Sequence, residues 1–146
     1  KRVEKAHTYE DFVRIVKSYA RHTSLVLVQE YVKTDFDWRI GVLGNKPLYA
    51  CRYIFPRGSW KMQGEKYTKQ AECDVEAMPV SKVPDEVVRE ALKAAGAVGN
   101  GLYGVDVKQL NGRVLVIEVN DNPTIESNQE DRCNAGIYEQ IIEHLL

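Results

Sequence analysis

The chain predicts an α+β fold, with antiparallel β-hairpins in one sheet and helices between them. Three observations lead there. Two pairs of apolar runs are joined by short turns, Gly44-Asn45-Lys46-Pro47 and Asn111-Gly112, and Asn-Gly is the strongest local hairpin signal. Three other segments carry apolar residues at helical spacing. At 146 residues, with 44% hydrophobic and 28% charged side chains, the chain has the ordinary make-up of one globular domain.

The first helix starts at Thr8, whose hydroxyl can cap free N–H groups while Glu10 and Asp11 complement the dipole. Phe12, Ile15, Val16 and Tyr19 carry it to about Ala20. Ser24 to Val32 is a nearly continuous apolar run, read as a strand buried on both faces. Phe36 to Leu43 and Leu48 to Phe55 form the first hairpin. Pro56 to Gln70, with few periodic apolar residues, reads as a long loop, which is uncommon unless functional or disordered. Glu72 to Pro79 alternates weakly and reads as a short strand. Val83-Pro84-Asp85-Glu86 opens a second helix whose apolar face is Val87, Val88, Ala91, Leu92, Ala95 and Val98, ending near Gly99. The second hairpin spans Gly104 to Pro123, a polar loop covers Thr124 to Arg132, and Ile137, Ile141, Ile142 and Leu145 define a last helix.

The second hairpin carries the candidate chemistry. Asp106, Glu118 and Asn120 are oxygen donors set in core-like strands. Alternation puts Glu118 and Asn120 on one face. Asp106 joins them if the turn holds three residues with Gly112 in the left-handed position, a type I turn with a G1 bulge. A strict two-residue turn would send Asp106 to the other face. The bulged turn is the expectation, because two carboxylates and an amide together make a site for magnesium or manganese. The competing reading has Asp106 in solvent and Glu118 paired with a lysine. Against it, Glu118 lies in V-L-V-I-E-V, a run apolar enough to be buried, where a carboxylate is costly unless paired or metal-bound.

Arg39 and Arg52 are the candidate catalytic cations. If the Gly44–Pro47 turn pairs Leu43 with Leu48, Arg39 sits opposite Arg52 on one face, beside Asp37. Two facing arginines repel unless an anion lies between them, so a phosphate or an acidic substrate is expected there, the other reading being two solvated arginines on an open sheet face.

Twenty basic against 21 acidic side chains leave a net charge of −1, which argues against general nucleic-acid or membrane-surface binding. No apolar run reaches the length of a membrane span, and no signal peptide is visible. Cys51, Cys73 and Cys133 are odd in number and widely spaced. They read as reduced thiols of a cytoplasmic protein rather than a disulfide frame or zinc site.

Taken together, G-V-D at Gly104–Asp106 and E-V-N-D-N-P at Glu118–Pro123 resemble the metal-binding end of ATP-grasp ligases, above all the RimK-type group. V-L-V-Q-E-Y-V at Val26–Val32 resembles the strand and hinge that hold adenine, and D-W-R-I-G-V-L-G at Asp37–Gly44 resembles the family's D-I-R strand. The resemblance spans nearly the whole chain. It implies the C-terminal subdomain of an ATP-grasp domain, akin to the ATP-binding domain of glutathione synthetase. Residues 1–146 would be one partial domain, its N-terminal lobe, with the ATP-binding lysine and glycine-rich loop, lying outside the chain. It implies that Glu30-Tyr31-Val32 contacts adenine through the main chain, that Asp37 lies near the ribose hydroxyls, and that Lys61 is a further nucleotide contact. The activity implied is ATP-dependent carboxylate–amine ligation, adding an amino acid such as glutamate through an acyl phosphate and releasing ADP. Its partners are ATP, magnesium or manganese, a carboxylate on a small molecule or protein, and an amino-acid amine, with a homo-oligomer compatible. The fragment alone is expected to be inactive. Two rivals are a non-catalytic nucleotide-binding module and a metal-dependent phosphohydrolase.

Overall fold

The computed structural model describes residues 3–55 and 73–146. The expected long loop, with Arg57, Trp60, Lys61 and Lys66, lies outside the described residues. The chain divides into two compact units, Lys1–Lys33 and Thr34–Leu146.

In the first unit, α1 runs Tyr9–Tyr19. Thr8 stops it at the front as expected, its Oγ1 accepting from the Asp11 N–H at 3.1 Å. The apolar stretch that follows forms no strand, and Leu25, Leu27 and Val28 are exposed. This corrects the buried strand expected at Ser24–Val32. An apolar run supplies a reason to be covered but not the neighbour that makes a strand, and the strand order of the described sheet does not include it.

The second unit is a five-stranded antiparallel sheet in the order β3-β2-β1-β4-β5. The strands are β1 (Phe36–Leu43), β2 (Lys46–Ile54), β3 (Asp74–Met78), β4 (Leu102–Leu110) and β5 (Arg113–Asn120). Helix α2 (Asp85–Val98) connects β3 to β4, and α3 (Ile137–Leu145) closes the chain after a short 3-10 turn at Glu130–Cys133. The α+β class and the two hairpins are as the sequence predicts. Among the described residues no helix is long and apolar enough to cross a membrane.

Alternation sorts each strand into two sets of side chains. On one face Trp38, Ile40, Val42, Ala50, Val105 and Val107 pack against Val87, Ala91 and Ala95 of α2. At the end of the opposite face, Leu43, Leu48, Tyr49 and Cys51 pack with Ile137 of α3. Both hairpins turn on two residues with positive φ, Gly44 (56°) with Asn45 (59°) and Asn111 (51°) with Gly112 (74°). Such turns match the right-handed twist of the strands they join.

Both hairpins also shift register inside the strands, between Gly41 and Val42 in the first and between Asp106 and Val107 in the second. Each shift moves every side chain beyond it to the other face. These two irregularities decide which residues meet.

Candidate metal and nucleotide site

The Asn111-Gly112 turn is a strict two-residue turn, with Leu110 paired to Arg113, which corrects the expected three-residue loop. The odd residue that brings Asp106 to the right face is supplied elsewhere. The bulge opposite Asp106–Val107 takes up one residue of β5, so Asp106 pairs directly with Glu118 and Gly104 with Asn120. All three donors therefore share one face, and the Asn120 amide N–H donates to the Gly104 carbonyl at 3.4 Å.

Burial is distributed differently from expectation. Glu118 is exposed, because β5 is an edge strand, so the cost of burying a carboxylate does not fall on it. Asp106 is the buried acid, at 4% exposure. Arg39, its partner across β1 and β4, donates from Nε to one Asp106 oxygen and from Nη2 to the other at 2.9 Å. Burial raises the Asp106 pKa, Arg39 pulls it back and Glu118 adds to the rise. Burial is the largest single influence on Arg39 and works against its charge. The hydrogen bond and the charge of Asp106, with smaller help from Tyr53 and Tyr49, together outweigh it and raise the guanidinium pKa.

Glycine at 104 is a spatial necessity. A Cβ there would stand 2.8 Å from Pro123 Cβ and 3.1 Å from Arg39 Cδ. Without it, the chain leaving β5 at Pro123 and the Arg39 stem both come close over Gly104. On the same face Asp37 is engaged by Lys108 at 2.5 Å and by the Thr34 hydroxyl at 2.8 Å, with Lys108 Nζ also on Thr34 Oγ1 at 2.7 Å. The Tyr53 ring lies 5.0 Å from the Arg39 guanidinium carbon.

Arg52 is not part of this face. The turn pairs Leu43 with Lys46 and the bulge follows, so Arg39 stands opposite Cys51 and Arg52 opposite Trp38. A register one residue from the expected one puts the two arginines on opposite faces, correcting their expected pairing around an anion. Arg52 instead stacks 4.7 Å from the Phe36 and Trp38 rings and lies 3.6 Å from Glu76. Glu30, Tyr31 and Val32 belong to the first unit, where Lys5 Nζ lies 3.4 Å over the Tyr31 ring.

Sequence reasoning missed Lys108, Tyr53 and Glu130. Lys108 could have been found, since it lies two residues beyond Asp106 and so shares its face. Glu130 gave no signal in a polar loop, yet it is 3% exposed. It accepts from the Tyr53 hydroxyl at 2.5 Å and from the Glu126 N–H at 2.8 Å.

The donor set fits a hard cation. Two carboxylates and one amide oxygen supply charge and neutral coordination without nitrogen or sulfur. Among the described residues no group of three His, Cys, Asp or Glu side chains could hold a metal; here the third donor is the amide of Asn120. A carboxylate has roughly four acceptor positions, so Asp106 can keep Arg39 and still offer a lone pair.

Comparison with known proteins places the chain in a family. A probable alpha-L-glutamate ligase of Shewanella amazonensis is 29% identical over 142 residues, covering 96% of this chain and 44% of the relative. A probable alpha-L-glutamate ligase of Pseudomonas fluorescens is 27% identical, covering 90% and 41%. The chain thus spans less than half the length of these curated relatives. The structure of D-alanine–D-alanine ligase from Bacillus anthracis complexed with ATP shares the fold, with a TM-score of 0.69 at 16% identity over 95% of this chain and 48% of that one. The ATP-grasp ligase PsnB, complexed with a precursor variant, Mg and ADP, gives 0.53 at 23% identity over 79% and 34%. The model of the RimK-like ATP-grasp domain matches residues 2–145, and the chain belongs to that family.

Proposed function

We propose that the protein carrying this chain is an ADP-forming, ATP-dependent carboxylate–amine ligase of RimK type. The observation that carries the reading is the Asp106–Glu118 pair with Asn120 beside it, on a face that also presents Arg39. Asp106, Glu118 and Asn120 would hold magnesium or manganese, which when bound offsets the charge of a phosphoryl group in transfer.

The remaining roles belong to the chain's own residues. Arg39 presents a fixed guanidinium fork, suited to the oxygens of a phosphate or an acyl phosphate. Glu30 through Val32 supply main-chain contacts to adenine, Asp37 takes up the ribose hydroxyls, and Lys61 adds a further nucleotide contact. ATP phosphorylates a carboxylate, and an amine then displaces phosphate from the acyl phosphate to form an amide. No protein nucleophile is needed. The names of the relatives favour L-glutamate as the amine. The protein works in the cytoplasm, and residues 1–146, as the C-terminal portion of the ATP-grasp domain, are inactive without the rest.

The test is phosphate release by the full-length protein with ATP, magnesium, L-glutamate and a panel of carboxylate acceptors. Release should require both amine and acceptor, and Glu118→Gln should lower it at least 100-fold. Release that needs neither would favour a phosphohydrolase. ATP binding with no release would favour a binding module.

A further inference from the structure

Glu130 is a buried acid that the proposed chemistry does not use. Sequestering a carboxylate from water is costly, so its surroundings must hold it firmly. Its two oxygens go to two different elements, the Tyr53 hydroxyl on β2 and the Glu126 N–H in the segment after β5. Both lead to Arg39. The Tyr53 ring lies against Arg39. The segment between Asn120 and Glu130 reaches Gly104 at Pro123, and the Arg39 stem reaches the same glycine, their Cβ and Cδ standing 2.8 Å and 3.1 Å from where a Gly104 Cβ would lie. The segment is anchored by Ile125 in the cluster around Ile137. Arg39 therefore has beside its guanidinium a ring hydrogen-bonded to Glu130, and its stem shares the space over Gly104 with the segment Glu130 anchors.

We propose that Glu130 is a positioning residue for Arg39, holding Tyr53 in place against the guanidinium and the Asn120–Glu130 segment in place over Gly104, where the Arg39 stem also lies. The inference rests on the ligase reading for its effect on turnover, but not for its effect on Arg39. A side chain with locked neighbours acts in a narrow range of geometries, and loosening the neighbours widens that range.

Glutamine at 130 can keep both contacts. Its carbonyl oxygen accepts from the Glu126 N–H, and its NH2 donates to the Tyr53 oxygen, the hydroxyl having turned away. Alanine keeps neither. Two measurements separate the outcomes. In the full-length protein, NMR follows exchange of the Glu126 amide and the Arg39 Nε–H resonance. In the full-length protein, phosphate release is followed with ATP, magnesium, L-glutamate and the acceptor that supports wild-type release.

Glu130→Ala should speed Glu126 exchange at least tenfold, broaden the Arg39 Nε–H signal, and slow turnover at least tenfold. Glu130→Gln should stay within threefold of wild type in exchange and turnover and keep the Arg39 signal sharp. Tyr53→Phe, which keeps the ring and removes the hydroxyl, should broaden the Arg39 signal less than Glu130→Ala. An unchanged Arg39 signal in a folded Glu130→Ala chain overturns the proposal. If alanine at 130 prevents folding, an Arg39 signal left unchanged by Tyr53→Phe, or a Glu130→Gln variant as impaired as a full loss, overturns it instead. A wild-type protein that releases no phosphate under any condition counts against the ligase reading alone, and the Arg39 signal still decides this one.

Discussion

The two faces of the β-sheet in the Thr34–Leu146 unit come from the same strands yet obey different rules. The face under α2 is closed by shape, with Trp38, Ile40, Val105 and Val107 at 1% exposure or less. The opposite face carries Asp37, Arg39, Asp106 and Lys108, three of them buried and all linked in charged pairs. One face gains stability by removing apolar area from water. The other loses some by desolvating charge, and a well-packed apolar substitute is often as stable or more so. A face that keeps charges under those terms is better explained by chemistry than by stability.

That contrast can be broken at several points. The largest effect is expected from Val105→Asp, which puts an unpaired carboxylate under α2 at a cost of several kcal/mol. Its thermal unfolding should lose cooperativity altogether, and a cooperative transition near that of wild type would mean that the α2 face is less closed than the packing indicates.

Next comes Arg39→Met. It leaves Asp106 buried without its cation and should cost about 3–5 kcal/mol. Adding Asp106→Asn should return most of that loss, since the second change removes the stranded charge. The single variant should also gain more thermal stability from manganese than wild type does, because both Asp106 oxygens are then open to the ion. Equal manganese shifts in the two proteins would separate Asp106 from the cation site.

Arg52 sharpens the comparison by its position on the apolar face. Its ion pair with Glu76 is largely exposed and contributes about 0–1 kcal/mol. Arg52→Met should shift stability by about 1 kcal/mol or less while leaving turnover of the full-length protein within twofold. A large loss of turnover would restore it to the catalytic set and put the register of the first hairpin in doubt.

The smallest effect concerns thiols. Cys51 lies on the charged face but is fully buried, and burial pushes its pKa up to about 12. Since the thiolate is the nucleophile, iodoacetamide at pH 8 should label the exposed Cys133 and spare Cys51 in the native protein. Labelling of Cys51 at a comparable rate would show that this face opens.

Much of this arrangement is legible in the sequence. Thr8 as a cap, the spacing of Val87, Ala91 and Ala95, and the alternation around Asp106 and Glu118 are local signals, and local signals survive folding. The apolar run Ser24–Val32 misleads because apolar content calls for cover without naming the partner. Glu118 misleads for a related reason, since edge and central strands read alike in sequence and differ only in what lies beside them.

The sequence by itself determined the α+β class, the hairpins, the helices and a chemically coherent set of oxygen donors. Only the tertiary structure decided who faces whom. Strand side chains alternate with period two, so one bulge at Gly41–Val42 was enough to part Arg39 from Arg52. Another, opposite Asp106–Val107, was enough to bring Asp106 to Glu118. Bulges depend on how neighbouring strands fit, and the burial of Glu130 within a polar segment depends on what packs over it. These are balances of long-range packing, and no short window of sequence contains both sides of them.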